Sequence, residues 1–187
     1  MVVYQTCILS ILLYRAETRT SYAKHERRLN AFHMRCIRNI LGIHWKDKVT
    51  NERVLEIAQL PSLFALLKQR RLRWLGHVHR MQPSRLPRRV MLGAIADAKR
   101  SVGRPMLRHK DCAKRDMQAF NIPVHKWEEL AEDRDKWRKL VFDGRTIHDN
   151  AWFAALATIL IEAIAESAAG TLCASAIVGV APGSRHI

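Results

Sequence analysis

Residues 70–81 read RRLRWLGHVHRM, and this stretch decides how the rest of the chain is interpreted. Four arginines, two histidines and one tryptophan share a segment with the periodicity of a single helix. Apolar residues at helical spacing continue upstream to Leu63, and Pro61 suits the first turn of a helix. The stretch therefore predicts one long helix that begins near Pro61.

The residues of this helix separate into two faces when they are laid out at the angular step of an α-helix. The apolar arc spans roughly 120° and includes Leu67, Trp74 and Val78. We therefore expect Trp74 in the core and the basic residues facing solvent or a phosphate backbone. The opposite arc comprises Lys68, Gln69, Arg73, Gly76, His79 and Arg80, with Leu72 as its apolar exception.

Arg71 is the one charged residue that falls inside the apolar arc. Burying an unpaired guanidinium is costly, so this side chain must reach solvent or meet an anion. A buried carboxylate such as Asp111 is one predicted partner, and the alternatives are a phosphate or a path along the surface to water.

The first half of the chain predicts further helices joined by short breaks. Residues 23–41 carry apolar side chains at helical spacing and end at Gly42, which suits a helix C terminus. Thr50 or Asn51 can cap a short helix that runs through Ala58. Residues 2–14 are uncharged and fit either a buried helix or a strand.

Helical patterns return in the second half of the chain, over residues 105–120 and 125–142. The break between them is Asn-Ile-Pro at 121–123, and Trp127 and Trp137 lie on the apolar side of the second pattern. No segment alternates strictly enough to predict a sheet. We predict an all-α fold, an irregular bundle of about 5–7 helices with an apolar C-terminal tail.

Charge divides the chain into two parts. Residues 1–145 hold 31 of the 32 basic residues and 14 of the 17 acidic ones, a net charge of +17. Residues 146–187 have a net charge of −2 and are rich in alanine. We therefore predict a basic helical region over 1–145 and an apolar appendage over 146–187. Such a basic body favours a polyanionic partner, either nucleic acid or an anionic membrane.

Neither an enzyme site nor a metal site is indicated by the spacing of polar residues. The acidic pairs Glu128-Glu129 and Glu132-Asp133 lie among basic residues and suggest a solvated, salt-bridged helix face. His33 with Cys36, and His109 with Cys112, have a spacing that could supply two zinc ligands each. Tighter cysteine pairs are absent, so we expect no metal and no other cofactor.

Several blocks, taken together, resemble a known family. In order and rough spacing they are similar to the region C-terminal to the polymerase core in reverse transcriptases of non-LTR retrotransposons, of the endonuclease–reverse transcriptase type. The resemblance covers about residues 3–143. The blocks are LLYRAETRT (12–20), RRLNAFHMRCIRNILGI (27–43), VTNERVL (49–55), RRLRWLGHVHRM (70–81), GRPMLRHKD (103–111), RDMQAF (115–120) and WEELAEDRDKWR (127–138).

The resemblance implies a helical thumb and connection region that holds an RNA template and primer duplex. The catalytic palm of the family has no counterpart in this sequence, so we expect a truncated or decayed fragment without catalysis of its own. The expected nucleic-acid-binding residues are Lys68, Arg70, Arg73, His77, Arg80, Arg104 and Arg108. The expected structural residues are Arg71, Trp74, Gly76, Gly103, Pro105, Asp111, Trp127 and Trp137.

Two other interpretations stay open. The apolar run at 151–161 suggests a basic protein that associates with a membrane through its tail, although a spanning helix needs about 20 apolar residues. The chain could also be a non-functional retrotransposon remnant. No small-molecule substrate is expected, and the widely spaced cysteines without a secretory signal predict a nuclear or cytoplasmic location. Neither the preferred nucleic acid nor the oligomeric state follows from the sequence.

Overall fold

The computed structural model describes residues 1–92, 103, 107–151, 154 and 158. Every regular element in these residues is helical, which confirms the all-α prediction. A π-helical turn at Tyr4–Ile8 leads into the first helix, and a 3-10 turn at Trp45–Asp47 lies between the second and third. The helices are α1 (Leu9–Leu12), α2 (Ala23–Leu41), α3 (Asn51–Ala58), α4 (Leu63–His79), α5 (Leu86–Leu92), α6 (His109–Ala119), α7 (Trp127–Glu132) and α8 (residues 134–151).

Local capping signals set the ends of α2, α3 and α4 where the sequence predicts them. Gly42 ends α2 in the left-handed conformation with a φ of 67°. The Thr50 hydroxyl accepts a hydrogen bond from the backbone N–H of Arg53 and caps α3. The Ser62 hydroxyl does the same for α4, with the N–H of Ala65 at 3.2 Å.

The second half of the chain forms more and shorter helices than the periodicity predicts. The pattern over 125–142 is interrupted at Asp133, whose carboxylate accepts hydrogen bonds from the backbone N–H groups of Asp135 and Lys136. Asp133 thus starts a new helix, α8. Among the described residues this brings the total to eight helices, one above the predicted range.

α6 begins later than predicted. Arg108 is its N-cap, and the Asp111 carboxylate accepts a hydrogen bond from the Arg108 N–H at 3.0 Å. Leu107 and Arg108 are not helical, so the helix does not start near Pro105, which itself lies outside the described residues. The acidic side chain in the first turn, rather than the proline, marks the start of α6.

α4 is the central helix of the bundle and packs against α2, α5, α6 and α7. Neighbours on several sides bury it almost all round, so the predicted division into one core face and one polar face is wrong. Leu72 is fully buried and Gly76 is also buried, although both lie in the arc expected to be polar. Trp74, expected in the core, is only partly buried.

One core cluster joins α4 to α6, α7 and α8. Trp137 of α8 is 1% exposed, and its indole N–H donates to the backbone carbonyl of Leu72 at 2.9 Å. Gly76 faces the same indole: a Cβ added there would lie 2.5 Å from the indole Cδ1 and closer still to the indole nitrogen. The buried members of the cluster are Leu72, Leu75, Ala113, Met117, Phe120, Ile122, Ala131, Trp137 and Val141.

Arg71, the charged residue in the apolar arc of α4, pairs with carboxylates inside the fold. Its Nε and Nη2 donate to the two oxygens of Asp116 at 2.6 and 3.0 Å, and its Nη1 donates to Glu26 at 3.2 Å. Burial lowers the pKa of the guanidinium, but Asp116 and Glu26 raise it by more, and the net pKa is raised. Of the alternatives that the sequence leaves open, the structure shows a carboxylate partner, and it is Asp116 rather than Asp111.

The N-terminal segment is helical and is attached to α2 through a buried polar contact. The Tyr4 hydroxyl lies 2.8 Å from Nδ1 of His33, and neither side chain is more than 4% exposed. Burial lowers the pKa of His33 to about 4, so the ring is neutral at physiological pH.

The chain divides into one unit over Met1–Asp149 and a second over Asn150–Ile187. α8 continues past residue 145, where the sequence places a boundary, and Asp149 accepts a hydrogen bond from the Ser62 hydroxyl at 2.6 Å. Most of the predicted apolar appendage, including all of the run at 151–161 except residues 151, 154 and 158, lies outside the described residues. Within the described ranges, no helix is both long and apolar enough to cross a membrane.

Candidate nucleic-acid interface

An open, arginine-rich groove lies along one side of α4, and we call it the basic groove. Its volume is about 630 Å³. Residues of α4 form one wall, residues of α8 form another, and Glu17 reaches in from the segment after α1. The lining residues are Glu17, Arg70, Arg73, Trp74, His77, Arg80, Arg134, Trp137 and Arg138.

Helical spacing aligns the basic side chains of each wall. On α4, Arg70, Arg73 and His77 follow one another at intervals of three and four residues, and Arg80 follows directly after the helix. Residues at these intervals are neighbours on one helix face. Arg134 and Arg138 have the same relation on α8. The groove therefore presents two facing rows of basic groups.

Three of the groove arginines are available to a ligand. Arg73, Arg134 and Arg138 are exposed, and none of them forms a side-chain hydrogen bond or an ion pair within the described residues. Arg70 and Arg80 are partly buried and each donates one hydrogen bond to a backbone carbonyl, of Leu13 at 3.2 Å and Ala131 at 2.5 Å. These two are held in place by the fold while retaining further donors.

The groove contains more positive than negative charge. Among the described residues that line it, five are arginines and the single carboxylate is Glu17. The pKa of Arg80 is lowered by burial and by the charge of Arg134, despite the opposing charge of Asp133. Such mutual repulsion favours an anion between the two rows.

Aromatic rings form part of the groove wall. Trp74 lies edge-on against the His109 ring, with centroids 5.4 Å apart, and His109 in turn bonds to the backbone carbonyl of Glu17 at 2.9 Å. Trp137, which is buried, also lines the groove. Trp74 therefore shapes the groove instead of filling the core.

Four of the residues predicted to bind nucleic acid meet in this groove: Arg70, Arg73, His77 and Arg80. Lys68 does not, because its ammonium lies 2.7 Å from Nε2 of His148, and burial lowers its pKa. Arg108 is exposed but lies outside the groove lining, and Arg104 is not among the described residues. Lys68 lies outside the groove because α8, which carries His148, covers that side of α4.

The residues predicted to be structural take different positions in the fold. Gly76 and Trp137 contact each other in the core, and Trp127 is partly buried, with its ring 5.2 Å from that of His79. Gly103 has a φ of 83°, a conformation that favours glycine. Asp111 caps α6.

Arg134 and Arg138 are the functional candidates that the sequence did not single out. They belong to the mixed-charge stretch EDRDKWRK (132–139), which predicts a salt-bridged, solvated helix. The fold instead directs them toward α4. The sequence signal that could have identified them is their i,i+4 spacing on either side of Trp137. A buried tryptophan brings its sequence neighbours to the edge of its own packing contact.

A second depression continues the groove along α8. Arg73 and Arg138 line both depressions, and Arg145 and Lys139 add further positive charge. Arg145 donates to the Gln69 side chain at 3.4 Å. The basic surface is therefore longer than a pocket for one small anion.

The histidine and cysteine pairs considered for zinc serve other contacts. His33 bonds to Tyr4, and His109 bonds to the carbonyl of Glu17. Cys112 is buried, which raises the pKa of its thiol. Over the described residues, no three or more histidine, cysteine, aspartate or glutamate side chains converge on a common metal position.

Comparison with known proteins adds no relative to this description. A scan against protein-family models found no match, and searches of curated proteins and of solved structures found none either.

Proposed function

We propose that this chain binds the phosphate backbone of a nucleic-acid duplex in the basic groove. In this proposal it corresponds to the thumb and connection part of a non-LTR retrotransposon reverse transcriptase, which holds a template and primer duplex, and it performs no catalysis by itself. The observation that carries the proposal is the pair of arginine rows on α4 and α8, which together place five arginines around one groove with a single described carboxylate, Glu17.

The chemistry of guanidinium groups supports phosphate as the ligand. Arginine donates paired hydrogen bonds to phosphate oxygens, and such charge-assisted bonds are stronger than neutral ones. Contacts of this kind position a protein on nucleic acid without reading its sequence.

The length of the basic surface supports a polymer over a small anion. The groove and the depression beside it share Arg73 and Arg138, so that successive phosphates along a strand can meet successive arginines. The sequence resemblance points to the same ligand class, an RNA–DNA or RNA duplex.

The test is a double substitution at two exposed groove arginines, Arg73→Gln with Arg138→Gln. Neither side chain has a partner within the described residues, so the stability of the fold should change little. If each arginine binds one phosphate, each substitution should flatten the slope of log affinity against log salt by about 0.9 on duplex DNA. Fluorescence anisotropy over a salt series measures this slope.

A matched control removes the same charge elsewhere. Arg89 and Arg115 are exposed and lie outside the groove lining, so Arg89→Gln with Arg115→Gln should change the slope less. Equal affinities for the parent and the groove variant at every salt concentration would refute the proposal. Nucleotide incorporation by the same protein on a primed RNA template would contradict a role limited to binding. Flotation with anionic liposomes tests the membrane alternative.

A further inference from the structure

Trp45 lies in the 3-10 turn that follows the C terminus of α2. Its side chain is 83% exposed, the highest exposure of any large apolar residue in the described part of the chain. Its indole makes no side-chain hydrogen bond and no ring contact with other described residues. An exposed tryptophan is a typical anchor for a binding partner.

The loop that carries Trp45 is fixed at both ends. Asp47 accepts a hydrogen bond from the His44 N–H at 2.7 Å and closes the turn that contains Trp45. Arg38 of α2 donates to the Val49 carbonyl at 2.7 Å and to the Asn51 side chain at 2.9 Å. The ring is therefore presented by an anchored turn, which reduces the entropy that a partner must overcome.

Trp45 forms one wall of a groove of about 700 Å³ along α2. Arg27 and Arg35 line this groove and are exposed, and neither has an ion-pair or hydrogen-bond partner among the described residues. Asn30 and Asn39 add polar groups, and none of the described residues that line this groove is acidic. Positive charge, polar amides and one open aromatic face are thus combined at a single surface.

We propose that this surface, Trp45 with Arg27 and Arg35, binds an unpaired stretch of nucleic acid. One base stacks on the indole, and the neighbouring phosphates contact the two arginines. Stacking of bases on aromatic side chains beside a basic track is the usual chemistry of single-strand binding. This inference rests on the proposed function in assigning nucleic acid as the ligand, but it concerns a different surface and a different form of the ligand.

The surroundings of Trp45 favour nucleic acid over a membrane surface. Helices that lie on bilayers present a broad apolar face alongside their basic one. Here the neighbours of Trp45 in sequence are His44 and Lys46, and arginines and asparagines dominate the adjoining wall. One exposed indole, with Ala31, Met34 and Ile43 as the other apolar residues of the groove lining, provides a stacking platform but little area for insertion into lipid.

The test compares the full chain with its Trp45→Ala and Trp45→Phe variants on two ligands, a short single-stranded RNA and a blunt-ended duplex. Removal of the stack should weaken single-strand binding by about 5- to 150-fold, the equivalent of roughly 1 to 3 kcal/mol per base. Phenylalanine retains an aromatic face and should restore most of the affinity. Because Trp45 is exposed, both variants should fold as the parent does, which circular dichroism checks. Duplex affinity should not change.

The outcomes separate this inference from the proposed function. Single-strand affinity unchanged in Trp45→Ala would overturn the inference, even if duplex binding still depended on Arg73 and Arg138. Single-strand binding that depends on Trp45, in a chain that fails to bind duplex, would support the inference and refute the proposed duplex groove. Flotation with anionic vesicles that is abolished in Trp45→Ala, without any change in single-strand affinity, would assign the surface to lipid and also overturn the inference.

Discussion

Gly76→Ala is the smallest change that the packing of α4 against α8 should not tolerate. A Cβ at residue 76 would lie 2.5 Å from Cδ1 of the Trp137 indole and closer still to its nitrogen. The indole is 1% exposed and belongs to a rigid ring, so it cannot rotate out of the way within the core. Either the ring or the two helices must shift.

The expected cost follows from what the shift removes. Overpacking of a dense core costs about 1–3 kcal/mol. Displacing the indole also breaks its hydrogen bond to the Leu72 carbonyl, which leaves a buried N–H without an acceptor at a cost of about 1–3 kcal/mol. Alanine's helix propensity offsets about 1 kcal/mol of this. We expect a net destabilisation of about 3 kcal/mol.

Urea denaturation followed by circular dichroism measures the free energy of unfolding. Ala31→Gly, at an exposed position of α2, calibrates the intrinsic difference between the two residues in this protein. In a Trp137→Leu background the obstacle is gone, and Gly76→Ala should then be neutral or stabilise by up to about 1 kcal/mol. A stabilising effect of Gly76→Ala in the parent chain would refute this account of the contact.

Two further predictions concern buried charges. Asp116→Asn should lower the free energy of unfolding by about 3–5 kcal/mol in the same assay, because it leaves the Arg71 charge without its bidentate partner. Adding Arg71→Met should recover most of that loss. A double variant that remained as unstable as Asp116→Asn alone would contradict this prediction. Burial lowers the pKa of His33 to about 4, so as the pH falls from about 6.5 to 4 the unfolded chain gains a proton that the folded chain does not. Over that window the stability of the parent should fall by up to about 3 kcal/mol relative to His33→Phe, and pH-independent differences in urea titrations would refute this.

Helix ends were predictable where their signals are local. Gly42 and Thr50 act on the backbone within one turn of their own position, so no knowledge of the tertiary structure is needed to place them. Asp133 offers the same kind of signal, but the apolar periodicity on both sides of it predicts a continuous helix. In this segment the capping carboxylate, and not the period, decides where the helix begins.

The environment of α4 was not predictable from its own residues. Periodicity distinguishes one buried face from one exposed face, but α4 has neighbours on several sides, and its burial depends on segments far away in sequence. The partner of Arg71 shows the same limit. Asp111 and Asp116 both lie on α6, and only the way in which that helix packs on α4 decides which carboxylate is buried beside the guanidinium.

The α4 wall of the basic groove was predictable from the sequence, but the α8 wall was not. The α4 wall is a run of arginines with few acidic neighbours, whereas Arg134 lies between Asp133 and Asp135 in sequence. Composition averages these charges to near zero. On the helix, Arg134 and Arg138 share a face because they are four residues apart, whereas Arg134 and its sequence neighbour Asp135 do not.

The contact between Gly76 and Trp137 should affect both the stability of the fold and the binding of a duplex in the basic groove. Trp137 lies between Arg134 and Arg138 in sequence, lines the groove and contacts Gly76 of α4, so we expect the position of its ring to influence how far the α8 arginines stand from those of α4. A displaced indole therefore changes the spacing of the two rows even in molecules that remain folded. Gly76→Ala should accordingly weaken duplex binding well below its unfolding temperature. Asp116 lies on α6, away from the groove lining. Asp116→Asn should therefore lower the stability of the fold without weakening duplex binding by the molecules that remain folded. If duplex affinity fell in both variants only in proportion to the unfolded fraction, the groove geometry would not depend on the α4–α8 contact, and the arginines would bind as independent surface charges.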